Sequence, residues 1–276
     1  MLLRSLARAA FRGGRELLMI PEGELRAWAE RLGRSHRQAQ EAALEAGIFP
    51  ECYERNFPSL SPAEQLRLLR SRVLVAGLGG LGGRQAELLA RLGVGSLRLA
   101  DGDVFTPPNL NRQMLATRET LGLNKARVVA GHLLTINDAL LVEAFPDFLT
   151  PKNLESCLSG AQVALDALDT LAARRSLFAA AQKARVAVIH GAVNGVFGHV
   201  LTLMPGDPVG LAHLEAGGPE DAPASPPGVL APTVALVASL QVQEAVRWLL
   251  GRPPLYRGRL AHFDGETGRL EMMDLK

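Results

Sequence analysis

The chain has 276 residues, 47% of them hydrophobic, with 30 lysines and arginines against 28 aspartates and glutamates, for a net charge of +2. That length supports one large α/β domain with a short extension, and so mild a charge, without a dense basic run, excludes a nucleic-acid binder. Having only two cysteines excludes a disulfide framework and points to a reducing, cytoplasmic setting.

The first stretch, Met1 to Arg15, is rich in arginine and holds no acidic residue before Glu16. Leu2, Leu3, Leu6 and Ala9 recur at helical spacing, and acids gather from Glu22 and Glu24 through Glu41 to Glu45, which predicts a small helical extension over residues 1–50. A targeting or membrane-surface segment is the alternative reading of the same arginines. Arg4, Arg8 and Arg12 interrupt any signal-peptide core, however, and no stretch approaches the ~20 apolar residues of a membrane span. Pro50, Pro58 and Pro62 mark the entry to a second unit over residues 51–276.

A buried-type strand, Arg72 to Ala76, then runs into Gly77-Leu78-Gly79-Gly80-Leu81-Gly82. Gly77 permits a tight strand-to-helix turn, Gly79 and Gly80 let backbone N–H groups approach an anion, and Gly82 lets the next helix, roughly 83–92, pack closely on the sheet. The positive end of that helix points at the same anion. Ser96 to Ala100 reads as the next strand, with Asp101 at its carboxyl end, where a carboxylate can accept ribose hydroxyls.

The following loop carries Asp103, Asn109, Arg112 and Gln113, and Lys125 comes soon after. A dinucleotide needs no cations beyond its pyrophosphate, whereas a triphosphate brings about four negative charges that must be cancelled before an anionic nucleophile approaches. Arg112 and Lys125 can do this. Next, Val163 to Leu165 predicts a strand ending in Asp166 and Asp169, ahead of a helix with Arg174 and Arg175. Magnesium binds through one or two carboxylates plus phosphate oxygens, so Asp169 is the metal candidate, with Asp166 as a possible helper. The alternative for Asp169 is to cap that helix.

In the second half, 186–190 and 196–203 read as paired strands around an Asn194-Gly195 turn, and the proline- and glycine-rich stretch 205–228 as a mobile crossover loop. A nearly all-apolar helix over 233–250 and a final hairpin around 264–268, at the sheet edge, complete the chain. The fold class expected is a Rossmann-like α/β domain: a mostly parallel sheet flanked by helices, with an antiparallel C-terminal part. None of the six histidines is assigned a role; His190 and His199 are expected to pack or meet solvent.

From Tyr53 to the end, these motifs resemble the MoeB/ThiF/HesA group, bacterial relatives of the ubiquitin-activating enzymes. The resemblance rests on the Gly-rich loop, Asp101-Gly102-Asp103, Asn109-Leu110-Asn111-Arg112-Gln113, Lys125 and Asp166-Ala167-Leu168-Asp169 with Arg174. It implies an adenylyltransferase that binds ATP and Mg²⁺ and joins AMP to the C-terminal Gly-Gly tail of a small ubiquitin-like sulfur carrier, releasing pyrophosphate. Asp101 would hold the ribose; Asn109, Arg112 and Lys125 the phosphates; Asp169 the magnesium. It further implies a homodimer in which Arg55, within Tyr53-Glu54-Arg55-Asn56, reaches the neighbouring subunit's ATP. Two departures stand out. Many relatives carry a zinc site of paired Cys-x-x-Cys motifs, which Cys52 and Cys157 cannot build, and stretch 205–228 has no cysteine for a thioester or persulfide. Activation is therefore expected to stop at the acyl-adenylate, without zinc. The alternatives are another acceptor (a modified tRNA base, a peptide or a small molecule) or a non-catalytic nucleotide-binding scaffold.

Overall fold

The computed structural model of the chain describes residues 3–207 and 228–275, so all but the ends of the stretch expected as a crossover loop, 205–228, lies outside the described residues.

Residues 3–50 do not make the helical extension expected over 1–50. They form β1 (Arg8–Arg12), β2 (Arg15–Ile20), α1 (Glu22–Arg31), α2 (His36–Glu45) and β3 (Ile48–Pro50), with the strands ordered β1-β2-β3. The reason lies in Gly13 and Gly14. Both adopt positive φ, 54° and 73°, so they close a two-residue hairpin with Arg12 opposite Arg15. The leucine spacing that suggested a helix instead places Leu3 and Leu6 beside Ile20, Leu25 and Ile48 in a small core of their own. This unit is tied to the rest of the chain by Arg37, which donates to the carbonyls of Leu69 (2.6 Å) and Gly95, and by Arg26, paired bidentately with Asp138 at 2.7 and 3.0 Å.

The larger unit begins with α3 (Pro62–Leu69), capped reciprocally by Ser61 and Glu64. An alternation of strands and helices follows: β4 (Arg72–Ala76), α4 (Gly80–Leu92), β5 (Ser96–Ala100), α5 (Lys125–Ile136), β6 (Leu141–Phe145), α6 (Leu154–Leu158), β7 (Val163–Asp166) and α7 (Leu171–Ala184). The antiparallel part comprises β8 (Ala187–Asn194) and β9 (Phe197–Leu203), then α8 (Ala231–Leu249) and the hairpin β10 (Arg259–Asp264) and β11 (Arg269–Asp274). All eight strands share one sheet in the order β11-β10-β9-β8-β7-β4-β5-β6. From β8 to β6 the strands run parallel, and β9 to β11 are antiparallel, as expected from the sequence.

One hydrophobic core fills the space between the sheet and α4, α5 and α8; a second lies under α6 and α7 on the opposite face. This two-sided burial is why β4 and β7 read as nearly continuous apolar runs, whereas β5 carries the buried Arg98 at its centre. The order of strand addition reverses between β4 and β7, which run parallel, and this is the switch point at which open α/β sheets gather ligands. The register sets Ala76 opposite both Ala100 and Asp166, so Gly77, Asp101 and Ala167 emerge together at the sheet's carboxyl edge.

Candidate active site

The cleft at this edge is walled by the turn before α4, the loops after β5 and β7, the start of α5 and the N-terminal end of α8. Two glycines are dictated by contact rather than by any ligand. A Cβ on Gly77, which has φ +85°, would lie 2.7 Å from the Ala167 carbonyl oxygen, and one on Gly82 would lie 1.8 Å from that of Gly77. Gly79 and Gly80 face the cleft. At Gly79 an added Cβ meets only the Gln113 amide, at 3.5 Å. The first helical bond of α4 runs from Gly83 to Gly79, so the amides of Gly80 and Leu81, which line the cleft, have no acceptor within the helix and are open to an anion.

Asp101 sits beside these amides. Its Oδ2 accepts the Leu78 N–H at 2.7 Å and its Oδ1 the Asp103 N–H at 2.8 Å, which fixes the carboxylate while leaving lone pairs for a diol. Burial raises its pKa, and the Lys125 ammonium opposes that shift. Lys125 opens α5, capped by Asn124, and is almost fully buried, with Nζ 3.0 Å from Asp103 Oδ2. Arg112 also lines the cleft; its Nη1 donates to the Pro108 carbonyl at 3.0 Å and to Asn111 Oδ1 at 2.9 Å. Gln113 is buried in the same wall, and its carboxamide oxygen has no partner among the described residues. Across the cleft Asp169 is exposed, with no partner among the described residues.

Not every residue singled out from the sequence reaches this place. Asn109 does not line the cleft: its side-chain oxygen accepts from the Thr106 N–H (3.0 Å) and hydroxyl (3.2 Å), closing the short turn Pro107–Asn109. The turn fixes the carboxamide through its oxygen and so holds the side chain at that loop rather than at the cleft. Gly82 acts through packing. Arg55 lies on the short turn Glu51–Asn56, exposed, at a separate groove that it shares with Arg91, Arg247 and Arg252.

Asp166 is not a helper for a metal. It is fully buried, its Oδ1 accepting the Leu168 N–H at 3.0 Å and its Oδ2 lying 2.6 Å from His190 Nδ1, with Arg174 Nε 3.8 Å away. Burial lowers the pKa of His190 and drives that of His199 down to about 3, so both rings are neutral at pH ~7. His190 then donates from Nδ1 to Asp166 and accepts at Nε2, which makes His199, 3.2 Å away, the donor of the second bond. Arg174 also grips the Leu168 carbonyl at 2.6 and 3.0 Å. Asp166, His190 and Arg174 thus fix the short loop that presents Asp169. The helix-capping alternative for Asp169 fails as well, because Thr170 is the residue whose side chain accepts from Ala173.

Phe148 and Leu149, after β6, enter the cleft wall without having been foreseen, as do Ala192, Val193 and Val234. The one signal for Phe148 is Gly102: a Cβ there would lie 2.6 Å from the Phe148 amide nitrogen. Neither cysteine lines the cleft. Cys157 is buried; Cys52 keeps an exposed edge, but crowding around its sulfur and the Glu22 carboxylate push the thiol up to about 12.

The donor set fits a nucleoside triphosphate: a helix N-terminus, two cations, a carboxylate at ribose position and an unfilled buried acceptor. It fits magnesium too, since Asp169 offers a free carboxylate and a phosphate-bound ion needs only one or two from the protein. No group of three potential ligands stands together among the described residues.

Fold and cleft together define an open α/β protein with a glycine-lined polar cleft at its switch point. The chain belongs to the ThiF family, whose model matches residues 53–276, and it is an enzyme of the adenylyltransferase type. It is 32% identical to the molybdopterin-synthase adenylyltransferase of Escherichia coli strain K12 over 213 residues, 76% of this chain and 86% of that protein. The sulfur carrier protein ThiS adenylyltransferase of the same organism is 33% identical over 215 residues, covering 77% of this chain and 85% of that one. Among solved structures, E. coli MccB with ATP shares the fold at a TM-score of 0.68 and 17% identity, spanning 99% of this chain and 96% of that chain. No helix among the described residues is long and apolar enough to cross a membrane.

Proposed function

We propose that this protein adenylylates the C-terminal glycine carboxylate of a small ubiquitin-like sulfur carrier, using ATP and releasing pyrophosphate, in the cytoplasm and as a homodimer. The observation that carries the reading is the convergence of Lys125, Arg112, the α4 amides, Asp101 and Asp169 on one cleft. In this scheme Asp101 accepts the ribose hydroxyls and the α4 amides bind phosphate oxygens. Asp103 swings away from the buried Lys125, whose ammonium then takes up the incoming phosphates, and Arg112 cancels charge beside it. A carrier carboxylate oxygen then bonds to the α-phosphorus as the bond to the pyrophosphate oxygen breaks. No general base is needed, because that carboxylate is already ionised at neutral pH. The protein's work is positioning and charge cancellation. Asp169 would hold magnesium, which would supply further charge neutralisation at the phosphates. Arg55 would come from the partner subunit, which accounts for its lying outside its own cleft.

Because neither cysteine reaches the cleft, the product is the acyl-adenylate and sulfur is supplied by another protein. The deciding experiment is ATP–pyrophosphate exchange with and without a carrier ending in Gly-Gly, followed by mass spectrometry of the carrier. Exchange that ignores both carrier and magnesium would refute the proposal. A second reading, another polypeptide acceptor activated at its carboxylate, is favoured by residues 3–50, which lie outside the family match yet fall within the likeness to MccB.

A further inference from the structure

The strand β1 is the outer strand of its sheet, and its free edge has no role in the chemistry above. In a hairpin closed by two residues, Arg12 and Arg15 form the hydrogen-bonded pair, so Arg8, Ala10 and Arg12 bond inward while Ala9 and Phe11 turn their N–H and C=O groups outward. The one described bond to those outward groups is from the neighbouring Arg12 guanidinium to the Phe11 carbonyl, at 2.8 Å. Around this edge basic residues predominate, although exposed Glu16 stands opposite Phe11 in the β1–β2 register. Arg4, Arg8 and Arg15 are exposed and have no acidic partner among the described residues, whereas Arg12 is paired with Glu54. The Phe11 ring stands 67% exposed on the same strand.

We infer that β1 receives an extended acidic segment of the polypeptide acceptor, added as a further strand; this rests on the acceptor being a polypeptide, as proposed above. Edge strands offer a ladder of unpaired backbone groups that an extended peptide completes, with side-chain contacts supplying selectivity. Here the ladder is short, the flanking arginines attract acids, and Phe11 offers an apolar anchor. A second copy of the chain is a poorer occupant, because β1 against β1 would set arginines against arginines. A nucleic acid would engage the cations but leave the outward groups of Ala9 and Phe11 unused, and the chain's net charge is only +2.

Fluorescence anisotropy tests this with the full chain and a labelled synthetic peptide of alternating valine and glutamate, without ATP. Expected are saturable binding, slowed amide exchange at Ala9 and Phe11, and a roughly tenfold weakening in Ala9→Pro, which deletes one outward N–H and leaves every charge in place. Arg8→Glu combined with Arg15→Glu weakens binding by a similar factor. A peptide N-methylated at alternate residues must fail to bind, a test that needs no change to the protein. Unaltered binding of that methylated peptide, tighter binding of a DNA oligonucleotide of equal charge, or pairing of β1 with a second copy overturns the inference. Since binding is read without turnover, a failure of pyrophosphate exchange would strike the proposed reaction alone.

Discussion

Lys125 Nζ lies 3.0 Å from Asp103 Oδ2, so the buried cation at the head of α5 is held by a carboxylate on the facing loop. The pair is lopsided. Lys125 is 7% exposed at its side chain and Asp103 49%, so the lysine stays in place while the aspartate can swing into solvent and yield its position to a phosphate. Lys125→Met is therefore expected to cut ATP–pyrophosphate exchange by about 10²-fold, the scale of one lost charge-stabilising group. Folding stability should move by about 1 kcal/mol or less, as for a pair open to solvent on one side. Exchange assays beside urea unfolding check both halves.

Asp169 has no described partner, so its removal should leave folding almost untouched, within about 0.5 kcal/mol. Asp169→Asn is expected to lower exchange by about 10²-fold or more and to raise the magnesium concentration needed for half-maximal rate. An Asp169→Asn enzyme with wild-type magnesium dependence would remove the metal from this residue.

The glycines of the loop separate into two kinds. Gly82→Ala puts a Cβ 1.8 Å from the Gly77 carbonyl oxygen, backbone that cannot retreat, and is expected to cost about 3 kcal/mol or more. Gly79→Ala meets only the flexible Gln113 amide. It should fold within about 1 kcal/mol of wild type and show its defect as a raised KM for ATP, because the new methyl group enters the proposed phosphate site.

The buried pair His190 and His199 sets an acid limit on stability. Both are depressed by burial, His199 to about 3, whereas the unfolded chain titrates them near ~6.5. Between these values the unfolded state binds protons that the folded state does not, so stability rises with pH through that window and levels off above it. Unfolding free energies from denaturant titration at about pH 5 should fall below those at about pH 7.5 by an amount on the order of 2 kcal/mol, and His199→Gln should flatten the slope.

Arg55 offers a test of assembly. If it acts across a dimer, Arg55→Ala and Lys125→Ala are each nearly inactive, yet mixing them restores about a quarter of the activity, because half the dimers are mixed and each of those has one intact site. Mixing that restores nothing, with dimers confirmed by sedimentation, would place Arg55 outside the reaction.

The sequence by itself determined the strand–Gly-loop–helix unit, the alternation of strands and helices, the antiparallel end of the sheet, and the sites of Asp101, Arg112, Lys125 and Asp169. Those features are local: a turn chemistry, an apolar period or a residue at the carboxyl end of a strand marks each one within a few positions. Tertiary structure alone decided the rest. Asp166 and His190 stand 24 residues apart and meet because β7 and β8 pair in that register, which turned a metal candidate into a buried hydrogen-bonded anchor. Asn109 has an amide donor suited to a phosphate, but its oxygen ties the side chain to its own turn, outside the cleft lining. The arginine-rich start, with leucines at helical spacing, became a hairpin because Gly13 and Gly14 reverse the chain before a helix can gather enough residues to hold itself. Spacing reports which faces are apolar; only the packed chain fixes which groups find partners across strands and loops.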